Sequence, residues 1–379
     1  MRDLLVVAGE ASGDRAAAGV VTLLGGARAF GLGGAALAGA GVEILADLRA
    51  STALGIGETA ARIGAVVRAW RRVVRGVAAR RPKAALLVNY TEFNARLAPR
   101  LHANGVRVLW YGAPQVWAWR AGRAHALGPS IDRMAVMLPF EEPLWRAAGV
   151  EARYVGHPAL ETRVLPRAEA RARLGMTPFA EGVAILPGSR PHEVRSLLEP
   201  MIAAYEQVRA DRASVDARVL VASSLDAETR SWTRAVCEAR QVPRADVDPR
   251  EGAGALLGAF DAALCASGTV TLEAALARAV PVIAYRAGRA TALAARLLLR
   301  GPHVGLPNIL LQRRAFTELL QGNARADRIA DALADALDRR GSLLAACDEV
   351  AAMMGGQHHP SAALAEMLSP WLGGAARLS

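Results

Sequence analysis

Short apolar runs recur along the chain, each closed by glycine, proline or small polar residues and followed by a stretch with helical spacing. The first is Leu4 to Ala8, closed by Gly9-Glu10-Ala11-Ser12-Gly13-Asp14, with an alanine-rich helix expected from about Gly13. Ala84 to Val88 and Val106 to Trp110 continue this series. A second series holds Val183 to Leu186, Ala217 to Ala222, Ala262 to Cys265 and Val280 to Tyr285, with helical patterns around Glu193 to Ala210 and Leu272 to Ala277. Alternating strands and helices predict parallel sheets covered on both faces. Two series predict an α/β chain of two Rossmann-like, doubly wound domains. A strand-like Tyr154 to Pro158 precedes the boundary, placed near Leu165 to Pro178, and a last helix is expected within Gly355 to Leu372. The expected domains are therefore 1–165 and 175–350, followed by a terminal segment 355–379. Gly31-Leu32-Gly33-Gly34 reads as a turn.

At 379 residues, with 53% hydrophobic and 21% charged residues, the chain can bury full-sized cores, which excludes disorder as its main state. No apolar run reaches the roughly 18 residues of a spanning helix, and the first is too short for a signal peptide. Cys237, Cys265 and Cys347 form no CxxC pair, which fits a reducing cytoplasm better than a disulfide scaffold. The seven histidines show no metal-binding spacing, and His157 and His192 read as structural; no metal or other cofactor is expected. The net charge of +11 favours an anionic partner. Lys83 is the only lysine, however, so part of the arginine excess reflects a GC-rich coding bias.

Ligands of open parallel sheets bind beyond the carboxyl ends of the strands, so the loops after the strands hold the candidate chemistry. Leu186-Pro187-Gly188-Ser189-Arg190 joins a strand to a helix; free N–H groups and a forked cation suit a diphosphate there, as an ordinary turn would suit the same residues. Ser267-Gly268-Thr269 precedes a second helix, with Glu273 expected in its first turn; the pattern fits a nucleotide site with a ribose acceptor and a capping box equally. Glu10 and Asp14 put carboxylates where a dinucleotide pyrophosphate would sit, which argues against NAD. Glu92, in Asn89-Tyr90-Thr91-Glu92-Phe93-Asn94, is the only acid between Glu58 and Asp132 and a candidate general base. Tyr111 to Arg123 concentrates Trp117, Trp119, Arg120 and Arg123, which suits a sugar, phosphate, lipid headgroup or nucleic acid, or core packing. From Arg62 to Lys83, Ile63, Val66, Val67, Trp70, Val73, Val74 and Val77 form a helical stripe, with Arg68, Arg71, Arg72 and Arg75 on other faces. That pattern fits a basic membrane-surface helix or a helix packed on a sheet. No nucleic-acid motif is visible, so no nucleic-acid partner is expected.

Taken together, AGEASGD (8–14), GLGG (31–34), FNARLAPRL (93–101), PQVWAWRAGR (114–123), LPFE (138–141), YVGHP (154–158), LPGSR (186–190), SGTVTLEAAL (267–276), LPNILL (306–311) and ELLQ (318–321) resemble the lipid-A-disaccharide synthase family, in the family's order. The resemblance implies an inverting GT-B glycosyltransferase whose two Rossmann-like domains face a central cleft, the C-terminal helix returning to the N-terminal domain. It implies transfer from UDP-2,3-diacylglucosamine to 2,3-diacylglucosamine 1-phosphate at the inner face of the cytoplasmic membrane, without a metal, and it allows a homodimer. It assigns UDP to Gly188, Ser189, Arg190, Ser267, Gly268, Thr269, Glu273 and Asn308. It assigns the acceptor side to Gly13, Asp14, Asn94, Gln115, Trp117, Trp119 and Arg120. It also favours the membrane reading of Arg68, Arg71, Arg72 and Arg75. The family segment Asp-x-Pro-Asp-Phe-Asn is altered here, with Asn89, Thr91 and Glu92 at the first aspartate, the proline and the second aspartate. Asn89 cannot act as a base, which leaves Glu92 as the catalytic base, Glu10 as its alternate and Arg190 as the stabiliser of the leaving diphosphate.

Overall fold

The computed structural model of the chain describes residues 4–25, 28–47, 59–117, 122–286, 301–355 and 358–373. It divides into two compact units, Met1–Glu161 with Gln357–Ser379, and Thr162–Gly356.

The first unit is built on seven parallel strands: β1 (Leu4–Ala8), β2 (Ala29–Gly33), β3 (Glu43–Asp47), β4 (Ala84–Val88), β5 (Arg107–Tyr111), β6 (Arg133–Val136) and β7 (Glu151–Tyr154). Their order is β3-β2-β1-β4-β5-β6-β7. Successive side chains of a strand point to opposite faces, and both faces here are covered. Leu5 and Val7 pack with Val73 and Leu97, while Leu4, Val6 and Ala8 pack with Val20, Leu364 and Leu368. The uniformly apolar run at β1 is thus that of a strand buried on both sides.

Gly31-Leu32-Gly33 lies in β2 and not in a turn; a Cβ on Gly31 would come within 1.8 Å of the Val6 carbonyl oxygen. The glycine is spent on close strand pairing. The strand-like reading of Tyr154 to Pro158 is also corrected: β7 stops at Tyr154, Gly156 has φ +96°, and a 3₁₀ turn follows at Pro158–Glu161. The Tyr111 hydroxyl donates to the Gly156 carbonyl (3.1 Å). His157 is buried, its Nδ1 accepts the Ala159 N–H (3.0 Å), and burial lowers its pKa to about 4, so it is a neutral structural group.

The helix Thr59–Arg80 buries Ala65, Ala69 and Val73, and packs Val66, Trp70, Val74 and Val77 partly against the same core. Ile63 and Val67 point outward, 60% and 40% exposed, beside the exposed Arg68, Arg71, Arg72 and Arg75. The apolar stripe therefore divides: most of it is core, and Ile63 and Val67 in its first part share the basic outer face. No helix among the described residues is long and apolar enough to cross a membrane.

The last helix runs Pro360–Leu372, starting later than Gly355, because Gly355 (φ +59°) follows the end of the preceding helix Arg340–Met353. It lies in the first unit. The Ser361 N–H and hydroxyl donate to Glu161 (2.8 and 2.6 Å), Arg133 Nη1 donates to the Met367 carbonyl (2.6 Å), and the Arg133 guanidinium lies over the Trp371 ring.

The second unit has six parallel strands: β8 (Glu181–Leu186), β9 (Val215–Val221), β10 (Arg244–Asp246), β11 (Ala262–Ala266), β12 (Val280–Tyr285) and β13 (Glu318–Leu320), ordered β10-β9-β8-β11-β12-β13. This unit begins at Thr162 and includes Leu165 to Pro178, the stretch near which the boundary was expected. The Leu165 N–H bonds the Ala255 carbonyl (2.9 Å). The buried Arg171 donates to the carbonyls of Ala259, Thr177, Pro178 and Ala180 and reaches Asp261. A buried guanidinium so fully hydrogen-bonded ties 165–180 into the unit, and its charge serves the fold.

Candidate functional site

In each sheet the strand order reverses at one place, where the loops after adjacent strands diverge and leave a crevice. In the first sheet that place lies between β1 and β4, and in the second between β8 and β11. The four loops concerned are Gly9 to Asp14, Asn89 to Asn94, Pro187 to Arg190 and Ser267 to Thr269. The sequence motifs thus fall at the two switch points.

At the first switch point the backbone is forced into close quarters. Asn89 and Tyr90 both adopt left-handed conformations (φ 51° and 43°), a costly arrangement for non-glycine residues. The turn is held from within. Asn94, fully buried, donates from Nδ2 to the Asn89 carbonyl (2.7 Å), and Tyr90 stacks on Phe93. A Cβ on Gly9 would lie 2.2 Å from Tyr90 Cβ, and one on Gly112 would lie 2.1 Å from Asn89 Oδ1. A Cβ on Gly13 would meet Val88 Cγ1 at 3.1 Å and Asn89 Nδ2 at 3.5 Å. The Asn89 carboxamide is therefore enclosed by glycine backbone on two sides. Asn94 serves this turn, and its buried Oδ1 has no hydrogen-bond partner among the described residues.

Glu92 lies in the first turn of the helix Thr91–Ala103, its side chain 59% exposed and paired with Arg123 Nη1 (2.7 Å). Glu10 is the exposed N-cap residue of the helix Ala11–Leu23. Asp14 is buried, and its two carboxylate oxygens accept the N–H groups of Gly34 (2.6 Å) and Ala36 (2.9 Å), capping the short helix Ala35–Gly39. That is a structural use of the carboxylate, and it explains the position of Gly34. Gln115 is exposed, whereas Trp119 and Arg120 lie outside the described residues.

Trp117 Nε1 donates to Glu141 Oε1 (3.1 Å), and Glu141 Oε2 accepts the Leu138 N–H (3.0 Å). Glu141 carried no role in the sequence reading. Burial pushes its carboxyl up to about 7, against the opposing pull of these hydrogen bonds. A carboxyl raised from an unfolded value near 4.5 binds more protons in the native state between those pH values. Its contribution to stability is therefore full below about 4.5 and is lost as pH rises through about 7. Parent and Glu141→Gln unfolding free energies should diverge over this window, the parent losing up to about 3 kcal/mol relative to the variant. Denaturant titrations at pH 5 and 8 with a constant difference between the two proteins would contradict this.

At the second switch point Pro191 stands at the first position of the helix Pro191–Asp211 and Glu193 at its third. The Ser189 N–H, read from sequence as open to a phosphate, donates instead to Glu193 Oε2 (3.2 Å). Arg190 is the N-cap residue, its side chain 57% exposed and 3.5 Å from Glu193 Oε1. In the other loop neither Ser267 nor Thr269 caps the helix Thr269–Leu276: Gly268 (φ +140°) is its N-cap residue, without a side-chain cap. The Ser267 hydroxyl donates to the Val304 carbonyl (3.2 Å), and the Thr271 hydroxyl to the Gly268 carbonyl (2.8 Å).

Glu273 is the fifth residue of that helix, past its first turn, half-buried beside Gly254. Asn308 is fully buried, its Nδ2 donating to the Phe316 carbonyl and Glu318 Oε1, its Oδ1 accepting the Phe316 N–H. Glu318 also accepts the Val304 and Gly305 N–H groups. Asn308 and Glu318 thus shape the 304–308 segment against Ser267. No three histidine, cysteine or carboxylate groups gather as a metal-ligand set among the described residues.

Two parallel-sheet Rossmann-like units with crevices at both switch points define the GT-B class. Accordingly, the fold matches that of Acinetobacter baumannii MurG (TM-score 0.58, 15% identity, 98% of this chain and 100% of that one). It also matches a putative UDP-N-acetylglucosamine 2-epimerase from Listeria monocytogenes (TM-score 0.67, 12% identity, 99% and 98%). The lipid-A-disaccharide synthetase family model matches residues 4–354. The lipid-A-disaccharide synthase of Myxococcus xanthus is 42% identical over 334 residues, 86% of each chain. The chain belongs to the lipid-A-disaccharide synthase family, and it is a hexosyltransferase of UDP-sugar and glycosyl acceptor.

Proposed function

We propose that the chain transfers 2,3-diacylglucosamine from its UDP conjugate to the 6-hydroxyl of 2,3-diacylglucosamine 1-phosphate. The second unit holds UDP and the first receives the acceptor. The observation that carries this reading is the pairing at the second switch point: a forked cation, Arg190, and a helix start at Thr269 with no side-chain cap follow neighbouring strands. Both offer positive charge to a diphosphate.

The acceptor oxygen attacks the donor sugar carbon from the face opposite UDP. The new glycosidic bond forms as the bond from carbon to diphosphate oxygen breaks, which inverts the configuration. Glu92 takes the hydroxyl proton, with Glu10 as the alternate base. Arg190 meets the negative charge that grows on the departing diphosphate. The products are the β-1,6-linked disaccharide 1-phosphate and UDP. Incubating the purified protein with both diacylated substrates should give these in equal amounts. UDP without disaccharide, or a donor epimerised at the sugar, would refute the assignment.

The acceptor's two acyl chains call for a lipid surface. Ile63 and Val67 beside Arg68, Arg71, Arg72 and Arg75 form the face suited to an anionic bilayer at the cytoplasmic side. Each basic residue near such a surface contributes about 1 kcal/mol. Replacing the four arginines by glutamine should weaken binding to anionic vesicles at least about tenfold and flatten its salt dependence. Equal sedimentation of parent and variant with vesicles would place the contact elsewhere.

A further inference from the structure

We infer that Glu193 is the positioning residue of the Gly188-Ser189-Arg190 turn, a built-in anion that fills its own helix start and leaves the nucleotide's diphosphate to Arg190 and to the helix beginning at Thr269. The inference rests on the reading of Arg190 given above.

Three consecutive residues of the turn are referred to this one side chain. Gly188 adopts φ +124°, and a Cβ there would lie 2.5 Å from Glu193 Oε2 and 2.6 Å from Glu193 Cβ, so only glycine lets the turn close over the carboxylate. Ser189 gives its N–H to Oε2 at 3.2 Å. Arg190 Nη1 stands 3.5 Å from Oε1. Glu193 itself is only 4% exposed, while the Arg190 side chain that it meets is 57% exposed. A rigid, buried carboxylate thus sets the direction of a long and accessible cation.

The two helix starts at this switch point consequently differ. At Pro191 a carboxylate three residues into the helix turns back on the preceding N–H, a variant of the capping box, and complements the helix dipole. A diphosphate placed at that N–H would stand against a like charge. At Thr269, among the described residues, there is no side-chain cap and a Cβ on Gly268 would meet nothing within 4 Å. One helix start is internally neutralised, and the other is left to the ligand.

The test is a double-mutant cycle on the full chain, reading UDP affinity by calorimetry and kcat/KM with both substrates. Glu193→Gln keeps an oxygen for the Ser189 N–H and removes the charge, so it should fold with the parent's unfolding midpoint. It should lower kcat/KM about tenfold, the range of coupling between charged groups in contact. In the Arg190→Ala background the same change should have almost no further effect. Effects that multiply across the cycle, or a Glu193→Gln enzyme equal to the parent while Arg190→Ala is impaired, would overturn this inference alone. An Arg190→Ala protein that binds UDP like the parent would remove the underlying reading, and this inference with it.

Discussion

Glu92→Gln should lower turnover by about 10²–10⁴-fold, the usual worth of positioned acid–base catalysis, and leave UDP affinity unchanged. The side chain follows β4 at the first switch point and is 59% exposed. Its ion pair with Arg123 gives the carboxylate a fixed direction. Asn89, three residues earlier in the loop, has a carboxamide that cannot take a proton at neutral pH. Glutamine preserves size and removes basicity, so a loss of turnover without a loss of fold isolates the proton transfer. Glu92→Asp should retain substantial activity, because the enclosure of the turn by Gly9 and Gly112 fixes the backbone from which either carboxylate projects. Turnover of Glu92→Gln equal to the parent's would shift the role to Glu10.

Arg190→Ala is expected to cost about 10²–10³-fold in turnover, as loss of a preorganised donor to developing charge does. UDP affinity falls as well, by roughly 10- to 150-fold, the equivalent of one charge-assisted hydrogen bond of about 1.5–3 kcal/mol. The two variants therefore separate: Glu92→Gln changes turnover alone, whereas Arg190→Ala changes turnover and nucleotide binding. Because the arginine is largely exposed at a helix N-cap, its removal should leave the unfolding midpoint unchanged. Calorimetry with UDP showing parent-like affinity would take Arg190 out of the site.

The central strands were legible because burial on both faces leaves an uninterrupted apolar run, as at Leu4–Ala8 and Ala84–Val88, which the structure reproduces residue for residue. Strands whose pattern is thinned escaped notice. β2 carries Gly31 and Gly33 for close packing, and β3, β7 and β10 are partly exposed. Loop motifs marked the switch points, since glycine and serine are needed wherever a strand hands over to a helix. What individual side chains do inside those loops was harder to read. Ser267, Asp14 and Asn308 have the chemistry of ligand contacts, yet the structure engages each with backbone of its own unit. Glu193 left a readable trace, a proline at the first helical position and a glutamate at the third, which marks a helix start. Glu141 and Glu318 stand within LPFE (138–141) and ELLQ (318–321), but nothing beside them foretells Trp117, Val304 and Gly305 as partners, which lie 24, 14 and 13 residues away.

The helix Pro360–Leu372 has a consequence for how the chain comes into being. Leu364, Ala365, Met367 and Leu368 are part of the core on one face of the first sheet, whose strands are all made within the first 154 residues. On the ribosome, domains complete in the order in which their residues emerge. Here that order is inverted. The second unit, continuous from Thr162 to Gly356, has all its residues while the first still lacks the helix that packs on β4, β5 and the helix Ala11–Leu23. Until the helix Pro360–Leu372 has been made, part of that apolar face, beside the helix Ala11–Leu23, stays open to water, the surface that a nascent-chain chaperone would shield.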